Sequence, residues 1–336
     1  MPCKKCSHTV SETARYCEQC GAEVLQDVLT EISDEEQINL DEWDLHRAVF
    51  ENEFKIVQLL INRGAQVNSR NEHDQTPLHQ ATHMESVQVA KLLIENGADV
   101  NAIETRKGSD AYVLQKDGEE FKITPLTYAT HGGDIQVMQL LLEHGADVAN
   151  TESFHGDPIL HWARTPDQAQ LLIKHGADVN EKNNRGRTAL NWFMTSGSFS
   201  SDFFEMVQVL LDHGSDVNTK ENIEGNTLLH DVFGGRHSID TGLKAARLLV
   251  RHGADIEAKN KRSERPLHMA VRANRVKWVQ FLIECGADVN ARSRLRRVDS
   301  PLKMAVDLEH KNIARALLKS GAKYDGIAPS WLSEYR

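Results

Sequence analysis

The sequence predicts an all-α solenoid of about eight stacked repeats behind a small N-terminal module, and three observations carry that prediction. The first is a recurring phrase, Gly97-Ala98-Asp99-Val100-Asn101. Its glycine reappears at Gly64, Gly145, Gly176, Gly214, Gly253, Gly286 and Gly321, so that successive spacings are 33, 48, 31, 38, 39, 33 and 35 residues. Periods of this size belong to stacked structural repeats. The second is an apolar stripe at helical spacing ahead of the glycine, as in Val87, Val89, Leu92, Leu93 and Ile94, with the glycine as the left-handed stop. The third is a set of four cysteines, Cys3-x-x-Cys6 and Cys17-x-x-Cys20, ahead of the first repeat.

Taken in chain order, the cysteines come first. Two Cys-x-x-Cys turns separated by ten residues can bring four thiolates to the corners of a tetrahedron, the arrangement of a closed structural zinc site. A unit of about 20 residues buries too little apolar surface to fold alone, and bound Zn2+ would supply the missing free energy. The pattern over residues 1–23 resembles the zinc-ribbon modules of intracellular proteins, with Ser7 where such ribbons often carry a second glycine. Two disulfides, an iron site or a redox pair are the competing uses of the same residues. The N-terminus lacks the apolar segment of a secretory signal, which disfavours disulfides and points to the cytoplasm. Four thiolates fill the coordination shell, so the expected zinc is structural rather than catalytic.

Residues 24–45 hold eight acids and no Lys or Arg, whereas residues 1–23 are balanced, so most of the net charge of −10 sits in one connecting segment. Residues 24–40 read as an acidic, solvated linker and N-terminal cap. Ser33-Asp34-Glu35-Glu36 has capping-box form, and Ile38, Leu40 and Trp43 could shield the edge of the first repeat.

The repeats occupy residues 41–323, divided as 41–73, 74–106, 123–154, 155–185, 186–222, 223–262, 263–297 and 298–323, with an insert at 107–122 and a C-terminal cap at 324–336. In the second, Thr76-Pro77-Leu78-His79-Gln80-Ala81 opens the first helix, and Pro77 suits a first turn whose amide has no partner to lose. Thr124-Pro125-Leu126, Asp157-Pro158-Ile159-Leu160-His161, Thr188-Ala189-Leu190, Thr227-Leu228-Leu229-His230, Pro266-Leu267-His268 and Ser300-Pro301-Leu302 open others. This Thr-Pro-Leu-His-x-Ala, helix, Gly-Ala-Asp-Val-Asn unit resembles the ankyrin family. The resemblance implies helix pairs joined by finger loops, a concave inner groove that binds protein or peptide, and structural, backbone-bonded histidines at His46, His79, His161, His230 and His268.

Departures from the period mark elaborations. The 48-residue spacing contains Tyr112-Val113-Leu114, Asp117-Gly118, Phe121 and Ile123, which reads as a hairpin. Residues 196–201 and 234–238 read as lengthened loops between the helices of repeats five and six. Repeat four is shortened: Thr165-Pro166-Asp167-Gln168 starts its second helix early, with a threonine cap, a proline and a box glutamine.

Catalytic motifs do not survive this accounting. The repeat absorbs nine of the sixteen histidines, including His144, His175, His213 and His252 ahead of the glycine stop. Cys285 takes the same position, and His131-Gly132-Gly133-Asp134 aligns with an inter-helix loop rather than an oxyanion loop. No P-loop, dinucleotide fingerprint or His-Glu-x-x-His pattern occurs, and no run of 18 apolar residues could span a bilayer. The expected protein is therefore not an enzyme.

Two surface features remain. The position after the histidine slot carries Tyr128, Trp162 and Trp192 in three successive repeats, either packing between inner helices or forming a recognition stripe. Tyr112 and Phe121 of the insert would make a second wall. The last fingers gather Lys259, Lys261, Arg262, Arg265, Arg292, Arg294, Arg296 and Arg297. They form a solvated face, or a site for an acidic protein, a phosphate-rich ligand or nucleic acid. Capture of a protein or peptide in the groove is the first expectation. A nucleic-acid-associated regulator using the basic fingers and Lys4 and Lys5 is the second. The acidic linker could also meet the basic fingers of a second chain.

Overall fold

The computed structural model describes residues 40–107, 120–149, 157–195, 202–234, 238–293, 300–324 and 329–333. Cys3, Cys6, Cys17, Cys20, the linker to residue 39, Tyr112 and Arg294, Arg296 and Arg297 lie outside these residues. The chain divides into two compact units, Met1–Glu104 and Thr105–Arg336.

In the first unit a 3-10 turn, Leu40–Glu42, precedes helices α1 (Leu45–Phe50), α2 (Phe54–Asn62), α3 (Pro77–His83) and α4 (Val87–Glu95). Leu40 is buried as expected of a cap, and Arg47 stacks over the Trp43 ring at 4.6 Å. Each pair has a short inner helix, α1 or α3, and an amphipathic outer one, α2 or α4. Inner packs on inner and outer on outer. Leu78, Ala81, Val89, Ala90 and Leu93 are completely buried between them.

Strands β1 (Glu104–Lys107) and β2 (Glu120–Ile123) pair as a two-stranded sheet. The otherwise all-α fold thus carries a small sheet at the insert, whose first described strand starts at Glu104; Tyr112–Leu114 and Asp117-Gly118 of the expected hairpin lie outside the described residues. Strand β2 leads directly into the Thr124 cap of the next helix, which fixes where pairing ends.

The second unit contains α5 (Pro125–Gly132), α6 (Ile135–Glu143), a 3-10 turn Ile159–Trp162, α7 (Pro166–Lys174), α8 (Ala189–Thr195), α9 (Phe203–Asp212), α10 (Leu228–Gly234), α11 (Ile239–Arg251), α12 (Pro266–Arg272), α13 (Val276–Glu284), α14 (Pro301–Asp307), α15 (Lys311–Lys319) and α16 (Ser330–Ser333). Inner elements α5, the 3-10 turn, α8, α10, α12 and α14 pack in succession. Gly235, Arg236 and His237 of the loop expected over 234–238 lie outside the described residues, as do residues 196–201. Gly234 ends α10, Ser238 caps α11 through the Thr241 amide at 3.2 Å, and α11 runs for 13 residues. Leu332 of α16 is completely buried, and Lys311 lies 5.7 Å over the Trp331 ring.

The recurring phrase is explained by its bonds. All eight phrase glycines have positive φ; at Gly97 it is 88°, a left-handed turn that side chains resist. The closing asparagine then ties one finger to the next. Asn180 donates to the Gly214 carbonyl at 3.0 Å and accepts from the Asp216 amide at 2.7 Å; Asn218 does the same to Gly253 and Asp255 at 3.1 and 2.8 Å. In the first unit Asn68 bonds Gly97 and Asp99 at 3.0 and 2.8 Å. Repeat three has Ala149 in this place and no amide with which to make the bond. Finger tips turn on a second asparagine: Asn71, Asn183 and Asn260 each accept two amides through Oδ1 at 2.9–3.0 Å.

Candidate functional site

Sequence dictates the site by breaking a helix. Pro166 at the first turn of α7 holds Thr165 in an extended conformation, at φ −126° and ψ 154°. The inner element of repeat four therefore stops after the single 3-10 turn Ile159–Trp162, where other inner helices run six to eight residues. Gln168 secures the broken end, accepting the Arg164 amide at 2.7 Å and the Thr165 amide at 3.3 Å.

Where the second helical turn would have packed there is a cavity of about 320 Å³. Trp162, Trp192, Phe193 and Phe203 supply aromatic walls, with Met206 and Ala163 between them. His131 joins from α5, its ring 5.6 Å from that of Trp162 and its Nε2 3.4 Å from an Arg164 Nη2. Two of the three row aromatics are thus brought together. Tyr128 is half-buried on α5 and is not part of the cavity wall. Phe121 lies in β2, and its side chain is outside the described residues, as is Tyr112.

Histidines behave as the repeat implies where the spacing holds. His79 Nδ1 meets the Thr76 amide at 3.2 Å and hydroxyl at 2.8 Å; His230 Nδ1 meets those of Thr227 at 3.2 and 2.9 Å, and its Nε2 donates to the Glu264 carbonyl at 2.9 Å. His46 departs, pairing with side chains of Gln80 at 2.7 Å and Ser69 at 3.2 Å. His161 departs as well. It stands four residues after Asp157 rather than three after a threonine, so only Nε2 is engaged, donating to the Arg187 carbonyl at 3.0 Å. Burial lowers its pKa and so disfavours the charged ring, against the raising effects of the Arg187 carbonyl and Asp157. His131 sits on helix α5 rather than in the inter-helix turn, which is made by Gly133 and the Asp134 cap.

Beyond Trp192 the row continues with Asp231 on α10. Burial pushes its carboxyl up to about 6, against the pull of Arg187 and with the help of Glu221. The folded chain therefore keeps this proton at pH values where the unfolded chain, near 3.8, has lost it. Stability from this group is present at low pH and falls as pH rises from 3.8 to about 6, by about 3 kcal/mol. Urea unfolding of Asp231→Asn against the parent should show the variant gaining relative stability between pH 4.5 and 7.5. An equal difference at both pH values would refute the assignment.

Of the five described residues of the basic fingers, Lys261, Arg262 and Arg265 join repeats. Arg262 pairs with Glu224 at 3.2 Å, and Lys261 Nζ donates to the Asn222 carbonyl and to that of Ile223 at 2.9 Å. Arg265, 16% exposed, bridges Glu257 at 2.6 Å and Asp288 at 3.0 Å. Glu257 replaces the finger-tying asparagine and accepts the Asp288 amide at 2.9 Å. Lys259 and Arg292 are exposed. The acids that pair with Arg262 and Arg265, namely Glu224, Glu257 and Asp288, are brought to them by neighbouring fingers. Phe193, Phe203 and Asp157 carry no motif, and their meeting depends on the shortened repeat.

The sequence model for "Ankyrin repeats (3 copies)" matches residues 17–104, 105–183, 164–260, 201–293 and 237–327. The chain belongs to the ankyrin-repeat family. Among solved structures it resembles the ankyrin repeat domain of Bcl-3, described as a unique member of the IkappaB protein family. The two are 27% identical with a TM-score of 0.56, over 72% of this chain and 98% of that one. The first ankyrin match reaches back over Cys17 and Cys20, into the stretch read as a zinc module. No described helix is long and apolar enough to cross a membrane.

Proposed function

We propose that this ankyrin-repeat protein is a non-enzymatic scaffold or adaptor that binds a protein partner on the inner-helix face of its second unit, centred on Trp162 and Trp192. The observation that carries the reading is the aromatic-walled cavity opened by the short inner element of repeat four. Half-buried tryptophans held by a rigid repeat are the usual anchors of protein recognition. Affinity capture with the parent chain and with Trp162→Leu/Trp192→Leu tests it, and an unchanged set of captured proteins would overturn it. Nucleic acid is the weaker reading, because Arg262 and Arg265 already pair with acids.

The division into a ribbon at 1–23, a linker at 24–40 and repeats at 41–323 belongs to the same proposal, as does cytoplasmic residence. Cys3, Cys6, Cys17 and Cys20 would hold one structural Zn2+, a role supported by their spacing. The purified full chain should carry one zinc per molecule by elemental analysis. Cys3→Ser/Cys6→Ser should carry none while its ankyrin helices still unfold cooperatively. Zinc retained in that variant would exclude the four-thiolate site.

A further inference from the structure

The outer helices of the last three repeats carry charge of one sign. Helices α11, α13 and α15 hold seven Lys and Arg against two acids, Asp240 and Glu284, whereas α2, α4, α6, α7 and α9 together hold three against five. All seven bases are exposed. Lys311, Arg315 and Lys319 recur every four residues, and Lys244, Arg247 and Arg251 at intervals of three and four, so each set forms a stripe along one side of its helix. Because α11 packs on α13 and α13 on α15, the stripes belong to one face, with Lys277 between them.

Helix stability does not call for this arrangement, since like charges one turn apart repel. Three of the seven keep their charge open to solvent. Lys277 reaches Asp240 only at 3.9 Å with both side chains exposed, and Lys244 and Arg247 rest over the Phe204 and Phe281 rings at 3.8 and 5.2 Å, contacts that place the cations without neutralising them. The face thus differs from the fingers, where Arg262 and Arg265 meet carboxylates. Charge complementarity points to the N-terminal segment of this same kind of chain. Asp27, Glu31, Asp34, Glu35 and Glu36 fall within ten residues that contain no Lys or Arg, and outside residues 27–44 no stretch concentrates acids without bases to this degree. The run is tethered to the first unit by Leu40, which is buried there, while in the second unit α5, the 3-10 turn and α8 stack in succession ahead of the repeats that carry the face. The run of another copy is free of that tether.

We infer that the basic face of α11, α13 and α15 binds the acidic run at residues 27–36 of a second copy of this chain. Two different surfaces meet, so the contact is heterologous and propagates head to tail. Pairs on an exposed face are individually weak and screened by salt, so association needs several of them together at low ionic strength. The face lies on outer helices, whereas Trp162 and Trp192 belong to inner elements, and the inference does not rest on the partner-binding reading.

The test is sedimentation of the full chain at about 20 mM and about 500 mM NaCl, where charges are screened over roughly 20 Å and roughly 4 Å. The parent is expected to form dimers and larger species at low salt, with an affinity that falls at least about tenfold at high salt. Arg251→Glu/Lys277→Glu/Lys319→Glu should stay monomeric, and so should Asp34→Asn/Glu35→Gln/Glu36→Gln. The second variant changes residues ahead of the repeats, and it carries the test if charge reversal lowers the unfolding midpoint of the first. Mixed in equal amounts, the two variants should form one-to-one complexes and nothing larger, because one keeps only the acidic run and the other only the basic face. A parent that is monomeric at both salt concentrations, self-association kept by either variant, or a mixture that stays monomeric would overturn the inference. So would a short duplex DNA that dissolves the assembly by binding the parent more tightly than a second copy does, which would make nucleic acid the occupant of the face.

Discussion

A chain carrying Trp162→Leu and Trp192→Leu is expected to lose partner affinity by roughly 1,000-fold, since two recognition tryptophans at about 2 kcal/mol each contribute about 4 kcal/mol. Its folding should change far less. Both rings are only half-buried, and leucine retains apolar volume against Phe193, Phe203 and Met206. The loss should appear mainly in the dissociation rate, because anchors seated in a pocket hold a complex together rather than steer it. Salt should matter little, given that Arg262 and Arg265 are already paired within the repeats. Surface-immobilised chain exposed to the captured partner measures both rates. A dissociation rate unchanged by the double replacement would remove the tryptophans from the interface. A coincident fall in the unfolding midpoint as large as that of a core truncation would recast them as packing residues.

Trp278→Ala is expected to destabilise the second unit by about 3–5 kcal/mol, the cost of truncating a large, fully buried aromatic. Trp278 is 0% exposed on outer helix α13. Its ring meets Phe233 edge-on at a centroid distance of 5.5 Å, and its Nε1–H donates to the Ile239 carbonyl at 3.1 Å. Space for the indole comes from Gly242 on α11, where an added Cβ would stand 2.8 Å from Cζ2 of Trp278. Glycine inside a helix costs about 1 kcal/mol relative to alanine, so Gly242→Ala would stabilise α11 if nothing opposed it. Here it should destabilise, and in the Trp278→Ala background it should become stabilising. This reversal of sign is the decisive measurement, by urea unfolding of the four chains. If Gly242→Ala stabilised the parent too, the close packing would be refuted. Repeats interact chiefly with their neighbours, so the damage should be read first in the helices flanking α13.

Legibility in the sequence followed the range of the interactions. Helix starts such as Thr76-Pro77 and Thr165-Pro166, and stops such as Gly97, depend on bonds within a few residues, and residue identity was enough to place them. Repetition extended this reach, because one unit could be read from another. The role of His79 and His230 was legible for that reason. The shortening of repeat four was legible too, but not what it opened. The cavity needs His131 from one repeat, Trp162 from the next and Phe203 from a third to converge. The pairing of Arg265 was not legible either, since it finds Glu257 and Asp288 only when neighbouring fingers lie side by side.

The sequence by itself determined the repeat, its helix boundaries and the place where the repeat breaks, because caps, prolines and left-handed glycines act over a few residues. Only the tertiary structure decided which residues that break exposes to one another. The raised carboxyl of Asp231 and the seat of Trp278 against Gly242 both arise from neighbours in other repeats. Burial and close approach are properties of packing, and no local spacing encodes them.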